Sequence, residues 1–244
     1  MNKQFDRLKI MIEDNLIPLQ NNCIAIIGLG GVGSFSAETI ARCGFKKIII
    51  VDKDTIDITN LNRQLVALHS TIGKKKVDVM EERILDINPD CKVITMPVFL
   101  NEDNLSEVFS YEPDFVIDAC DTIETKLLLI KYCLRNKIKF ISSMGAANKS
   151  EATKVEVVDL MKTYNDPVAK VLRNKVKQAR IKGKIPVAFS SEVPKKPKVE
   201  IIGEVKSRKE LPLLGSNAFV PSTFGIVCAN YAYQILLTDI QREK

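Results

Sequence analysis

The run Gly28-Leu29-Gly30-Gly31-Val32-Gly33-Ser34 holds four of the chain's eleven glycines. Glycine at this density lets the backbone turn sharply from a strand into a helix and approach a phosphate closely. The free N–H groups at the helix start then face the anion. Asp52 ends the next apolar run, where a carboxylate is placed to hydrogen-bond ribose hydroxyls. The combination points to a nucleotide without saying which. No glycine loop ending in Gly-Lys-Ser or Gly-Lys-Thr occurs, which excludes a P-loop NTPase.

More chemistry follows the loop. Asp54 precedes Asn60-Leu61-Asn62-Arg63-Gln64, then Gly73-Lys74-Lys75-Lys76, and later Asp118-Ala119-Cys120-Asp121. Polyphosphate chemistry needs this mixture: Arg and Lys neutralise phosphate charge, and a carboxylate at a strand's C-terminal end can hold Mg²⁺. Each element alone has an ordinary explanation. Arg63 could be a surface cation, Lys76 one of three lysines on a solvated helix face, and Asp121 a helix N-cap. Their joint occurrence behind a glycine loop favours the chemical explanation. Cys120, beside Asp121, reads as a core residue, and His69, the lone histidine, as structural.

These residues need a scaffold, and the apolar pattern supplies one. Cys23–Ile27, Lys47–Val51, Val93–Met96, Phe115–Asp118 and Phe140–Ser143 read as strands. Ser34–Cys43 (with Gly44 as its cap), Lys74–Ile87 and Lys126–Asn136 read as the helices between them. The alternation predicts an α/β, Rossmann-like fold: a largely parallel sheet with helices on both faces. After about Lys149 it breaks. Val155–Val158 reads as an added strand, Pro167–Lys182 as a basic helix, Pro186–Pro212 as irregular and Ser222–Thr238 as an apolar closing helix. We therefore expect one domain, with a nucleotide-binding, Rossmann-like part at 1–148, a basic and partly irregular part at 149–221, and a closing helix at 222–244.

Composition agrees. The 244 residues are 45% hydrophobic and 27% charged, which suits one globular domain with an ample core. No apolar run approaches the roughly 20 residues of a membrane span, and residues 1–7 show no secretory signal. The six cysteines are widely spaced with no CxxC pair, so they are expected to be reduced, mostly buried thiols of a cytoplasmic protein, and a two-CxxC zinc site is excluded. The net charge of +6 is unevenly placed. Residues 170–210 carry thirteen Lys/Arg and four Glu, a net +9, leaving −3 elsewhere. A polyanionic partner or a solvated lysine-rich surface would each account for that.

Taken together, the glycine loop, Asp52-x-Asp54, Asn60-Leu61-Asn62-Arg63-Gln64, Lys76 and Asp118-x-x-Asp121 resemble the ThiF-type adenylyltransferases, relatives of ubiquitin-activating enzymes that adenylate a carboxylate with ATP and Mg²⁺. The resemblance covers roughly Phe5 to Gly145. It implies that Gly28, Gly30, Gly31 and Gly33 form the phosphate loop, with Gly30 and Gly31 as its cradle. Asp52 would bind ribose, with Asp54 and Gln64 beside the nucleotide. Asn60, Arg63 and Lys76 would hold the triphosphate, and Asp121 would bind Mg²⁺. Phe5-Asp6-Arg7 is similar to the family's N-terminal arginine element, which implies a homodimer with Arg7 reaching the partner's site.

The C-terminal half narrows the resemblance. Asp159-Leu160-x-Lys162-Thr163-x-x-Asp166-Pro167, Val187-Ala188-Phe189-Ser190-Ser191-Glu192-x-Pro194 and Gly215-Ser216-Asn217-Ala218-Phe219-Val220-Pro221-Ser222 resemble the tRNA threonylcarbamoyladenosine dehydratases of that family. Such enzymes use ATP to cyclise N6-threonylcarbamoyladenosine at position 37 of tRNA. This implies tRNA bound by the basic segment, with Arg173, Lys175, Lys177 and Arg180 touching its phosphates and the modified base near Ser143 and Gly145. A sulfur-relay protein partner is possible for such an enzyme, but the cysteine that some relatives carry shortly before Gly215 is replaced here by Glu210-Leu211-Pro212-Leu213-Leu214. Three other activities compete: adenylation of a ubiquitin-like sulfur carrier, a Rossmann oxidoreductase, and a non-catalytic tRNA-binding module.

Overall fold

The computed structural model describes residues 3–196 and 214–242. Two short N-terminal helices, α1 (Asp6–Ile12) and α2 (Leu16–Gln20), lead into strand β1 (Cys23–Ile27). Then come α3 (Gly33–Arg42), β2 (Lys47–Val51), α4 (Lys76–Ile87), β3 (Lys92–Met96), α5 (Leu105–Phe109), β4 (Phe115–Asp118), α6 (Ile123–Asn136) and β5 (Lys139–Ser143). The chain continues with β6 (Val155–Asp159), α7 (Pro167–Gln178), β7 (Pro186–Ser190) and α8 (Phe219–Arg242).

The seven strands form one sheet in the order β3-β2-β1-β4-β5-β7-β6. All pair in parallel except the edge pair β6–β7. Successive residues of a strand point to opposite faces, and both faces are covered. Ile24, Ile26, Ile48 and Ile50 pack into a core with α3, α4 and α8. Ala25, Ile27, Ile49 and Val51 pack into a second core with α5, α6 and α7. That is why these strands read as unbroken β-branched runs with no polar alternation.

The expected elements are present, with three corrections. Pro186–Ser190 is a fully buried strand, where an irregular stretch was expected. A proline is tolerated as the first residue of a strand, and β7 joins the parallel part of the sheet from the next residue on, pairing Val187 with Ser142. The basic helix stops at Gln178, four residues before Lys182, because Arg180 takes a left-handed φ of 52°. The last helix starts earlier and ends later than expected, spanning 24 residues. Residues 197–212 of the expected irregular stretch lie outside the described residues.

Because β1 connects to β2 on one side and the chain returns to β4 on the other, the sheet has its switch point between β1 and β4. Ligands of open α/β sheets bind in the crevice outside the carboxyl ends of strands at such a point.

Candidate functional site

The glycine loop fills this crevice. Gly28 has a φ of 92°, and a Cβ there would meet the Ala119 carbonyl oxygen at 2.8 Å. A Cβ on Gly33 would lie 1.8 Å from the Gly28 carbonyl oxygen. Protein packing alone therefore demands glycine at both positions. Gly30 differs, since its Cβ would meet only Gln64 Nε2, at 3.9 Å. The space before Gly30 is left for something that is not protein. Ser34 Oγ donates to the Gly30 carbonyl at 2.7 Å and accepts from the Leu65 N–H at 3.2 Å, tying the loop to the residue that follows the Asn60–Gln64 segment.

This contrast separates two roles. Gly33→Ala should fail to fold or lose several degrees of melting temperature, since overpacking at a backbone contact costs about 1–3 kcal/mol or more. Gly30→Ala should melt like the parent yet bind ATP more weakly. Calorimetric melting and ATP titration of both variants check it. Equal melting losses would remove the distinction.

A cavity of about 880 Å³ runs from Gly28, Gly30 and Gly31 past Asp52, Asp54, Asn60, Arg63, Gln64 and Lys76 to Asp121. Asp52 accepts from the Leu29 N–H at 2.6 Å and the Asp54 N–H at 2.8 Å, which fixes its carboxylate at the end of β2. Lys76 is only 5% exposed, while Lys74 and Lys75 are exposed. This overturns a solvated-face role for Lys76. Its Nζ lies 3.1 Å from Asp54 Oδ2 and 3.8 Å from Asp52 Oδ1. Partial burial raises the Asp54 carboxyl, and hydrogen bonds from Lys53 and Lys76 more than offset that, so it sits below its usual pKa. Arg63 Nη1 donates to the Thr59 carbonyl at 2.8 Å and to Asn62 Oδ1 at 2.9 Å. Gln64 lines the cavity, and its buried Oε1 has no hydrogen-bond partner among the described residues. The cleared space at Gly30 and the buried side chain of Lys76 fit a nucleotide's phosphates, and the Gln64 acceptor fits a donor of its sugar or base.

Asp118 and Asp121 separate by role. Asp118 is 1% exposed and forms an ion pair with the equally buried Lys126 at 3.1 Å. It also accepts from the Cys120 thiol at 2.9 Å and from Ser142 Oγ. Burial, then the Asp118 charge, pushes the Cys120 thiol well above its ordinary pKa, so it stays protonated and unreactive near neutrality. Asp121 is exposed and faces the cavity. Among the described residues no cluster of three or more His, Cys, Asp or Glu could hold a metal by itself. Magnesium carried by phosphates needs only one or two carboxylates, and Asp121 is a donor of that kind.

The cavity continues beyond the nucleotide end. Ser143, Gly145, Ala146 and Ala147 line it, as do Val168, Leu214, Ser216 and Pro221 from the C-terminal half. Sequence reasoning gave the last four no place at the nucleotide, and missed Phe99 and Lys126 as well. Lys126 lies eight residues after Asp118, within the first turns of the helix that follows β4, and that spacing could have marked it. The hydrogen bond from Asn62 Nδ2 to the Ser216 carbonyl, 154 residues apart, carries no local signal.

Other candidates fall outside this cavity. Arg7 is exposed on α1 and does not line it. His69 is exposed in a short 3-10 turn, also away from the lining. Of the basic residues singled out on and just after α7, Lys177 and Arg180 are exposed. Arg173 donates to the Thr163 carbonyl at 2.8 Å and to the Thr163 hydroxyl, and Lys175 pairs with Glu124 at 3.2 Å. All six cysteines are unpaired, four of them buried. No described helix is long and apolar enough to cross a membrane.

A glycine loop at the switch point of a doubly wound sheet, in one cavity with buried Lys76 and exposed Asp121, defines an α/β protein of the nucleotide-binding kind whose cavity continues past the loop to the Ser143–Ala147 wall. Its likeness to known proteins runs over the full chain. This protein belongs to the ThiF family, whose model matches residues 1–244. It is 46% identical to the tRNA threonylcarbamoyladenosine dehydratase of Bacillus subtilis, over 98% of this chain and 96% of that one. The corresponding Escherichia coli enzyme is 36% identical over 90% and 88%. The crystal structure of E. coli TcdA in complex with ATP superposes with a TM-score of 0.89, at 34% identity, covering 99% of this chain and 97% of that one.

Proposed function

We propose that this chain is an ATP-dependent tRNA threonylcarbamoyladenosine dehydratase of the cytoplasm, which adenylates the threonyl carboxylate of N6-threonylcarbamoyladenosine at position 37 and promotes its cyclisation. The observation that carries this is the single cavity shared by the glycine loop and the Ser143–Ala147 wall. Both reactants can then meet without leaving the site.

The chemistry suits these residues. A carboxylate is a poor electrophile because its leaving group would be oxide. Attack of its oxygen on the α-phosphorus of ATP expels pyrophosphate and leaves an acyl-adenylate, from which AMP departs readily. A carbamoyl atom of the same side chain then attacks the acyl carbon, AMP leaves, and the proton passes to solvent. Intramolecular geometry supplies much of the rate, so no enzyme nucleophile is needed, in keeping with the protonated Cys120. Lys76, Arg63 and Asn60 would hold the triphosphate and oppose its growing charge. Asp52 would take ribose, with Asp54 and Gln64 beside it. Magnesium, when bound at Asp121, would neutralise phosphate charge.

We assign the active form to a homodimer in which Arg7 serves the partner's site. Ile10 and Met11 are 79% and 78% exposed on the same helix as Arg7, an apolar face suited to a second copy. Sulfur carriers are not favoured as substrates, and a sulfur-relay partner would need a thiol that the Glu210–Leu214 stretch does not supply.

Mass spectrometry of tRNA nucleosides from a deletion strain tests the function: the cyclic form should vanish and its open precursor accumulate. Unchanged cyclic nucleoside would overturn it. For tRNA binding, replacing Arg173, Lys175, Lys177 and Arg180 with Ser should weaken affinity and flatten its salt dependence. Every phosphate that is no longer neutralised should take roughly 0.7–0.9 log units per log salt off the slope. ATP affinity should stay near the parent's. Because Arg173 also braces Thr163, its single variant should lower the melting temperature more than Lys177→Ser or Arg180→Ser. An unchanged salt slope would place the RNA elsewhere.

A further inference from the structure

Asp166 carries more partners than a helix cap requires. Its side chain is fully buried, and its Oδ1 accepts from the Ala169 N–H at 2.9 Å, which caps α7. Its Oδ2 accepts from the Gly145 N–H at 3.1 Å and from Lys149 Nζ at 2.9 Å. Lys149 is buried too, and also donates to the Ser190 carbonyl at the end of β7, at 3.1 Å. One carboxylate thus holds the start of the basic helix, the wall loop after β5 and, through Lys149, the end of β7. Gly145 permits the close approach, since a Cβ there would meet Val168 Cγ2 at 3.2 Å and Asp166 Oδ1 at 3.3 Å. Both joined segments reach the cavity, through Gly145–Ala147 on one side and Val168 on the other.

A buried ion pair is a weak source of stability, since apolar residues of similar volume often serve as well. Its demand for fixed geometry is strong. We propose that Asp166 and Lys149 are positioning residues: they set α7 in one register against the substrate end of the cavity, so that RNA held on the helix presents its modified base to the Gly145–Ala147 wall. This rests on the tRNA activity proposed above. Neither residue lines the cavity, so both act through the segments they join.

The test uses the full-length Asp166→Asn/Lys149→Met double variant. Asn keeps an acceptor for the Ala169 N–H, and Met leaves no buried unpaired cation. With modified tRNA and ATP, the kcat for AMP release should fall by about 100-fold, the scale expected when reacting groups are misplaced by an ångström. ATP affinity, tRNA affinity and the salt slope of tRNA binding should stay near the parent's. Asp166→Glu, which keeps the charge and the pair but lengthens the carboxylate that sets the joint, should show the same kcat-specific loss and serves if the double variant does not fold. An unchanged kcat in the folded variant would overturn the proposal. So would a parallel loss of ATP affinity and melting temperature, which marks an ordinary structural pair. If the parent protein itself releases no AMP with modified tRNA, the proposed activity fails first, and the assignment of these residues falls with it.

Discussion

Asp121→Asn should leave the protein folded and nearly inactive, with adenylation reduced by about 10³-fold, the scale seen when one group stabilising transition-state charge is lost. The fold should tolerate the change because Asp121 is exposed and its only described hydrogen bond is a 3.3 Å one accepted from its neighbour Thr122. Asn keeps the shape and removes the charge. Magnesium titration should show the same deficit: the concentration needed for half-maximal activity should rise sharply, with melting temperature unchanged. Asp118→Asn should behave differently. It strands buried Lys126 without its counter-charge, and breaking such a pair costs about 3–5 kcal/mol, so that variant should melt early or not fold. Activity of Asp121→Asn within a few-fold of the parent would remove the metal assignment.

Mixing Arg7→Ala protein with Asp121→Asn protein should restore activity that neither has alone. An arginine acting on a transferring phosphate is worth about 10³-fold or more in other phosphoryl systems. If Arg7 serves the partner's site, a hybrid dimer contains one site with both residues intact, so partial recovery is expected after subunit exchange. Arg7 is exposed and does not line the cavity of its own chain, so its substitution should not disturb local packing. No recovery, with exchange verified by a tagged subunit, would mean that Arg7 works within its own chain or not at all.

The nucleotide half of the site was legible because its signals are local. Gly28 to Gly33 and Asp52 sit at the ends of β-branched runs, and each run became a strand with the expected last residue, Ile27 and Val51. The distal end was less legible. Val168, Ser216 and Pro221 meet the glycine loop's cavity from more than a hundred residues away, and their own neighbourhoods carry no pattern that announces it. Pro186–Ser190 misled for a related reason. A short strand among prolines and lysines reads as irregular until the backbone groups of Ser142 and Ser143 are seen to need partners. The bland explanation of Lys76 failed because three consecutive lysines look alike in sequence. Only the packing of α4 shows that the third points inward.

Helix α8 has a consequence for how the protein is made. Its Gly225 lies so close to α3 that a Cβ would be 2.3 Å from the Val32 carbonyl oxygen, Ser36 Oγ donates to the Gly225 carbonyl at 2.9 Å, and Pro221 abuts Gly31. The phosphate loop is therefore braced by a helix that follows every strand of the sheet. During synthesis at about 5–20 residues per second, the loop leaves the ribosome well before its brace does. A nascent chain has its loop sequence early and its loop geometry late. Nucleotide binding is therefore expected to begin only once α8 has emerged, and a product truncated before Pro221 should bind ATP more weakly than the full chain, which ATP titration of the two would check.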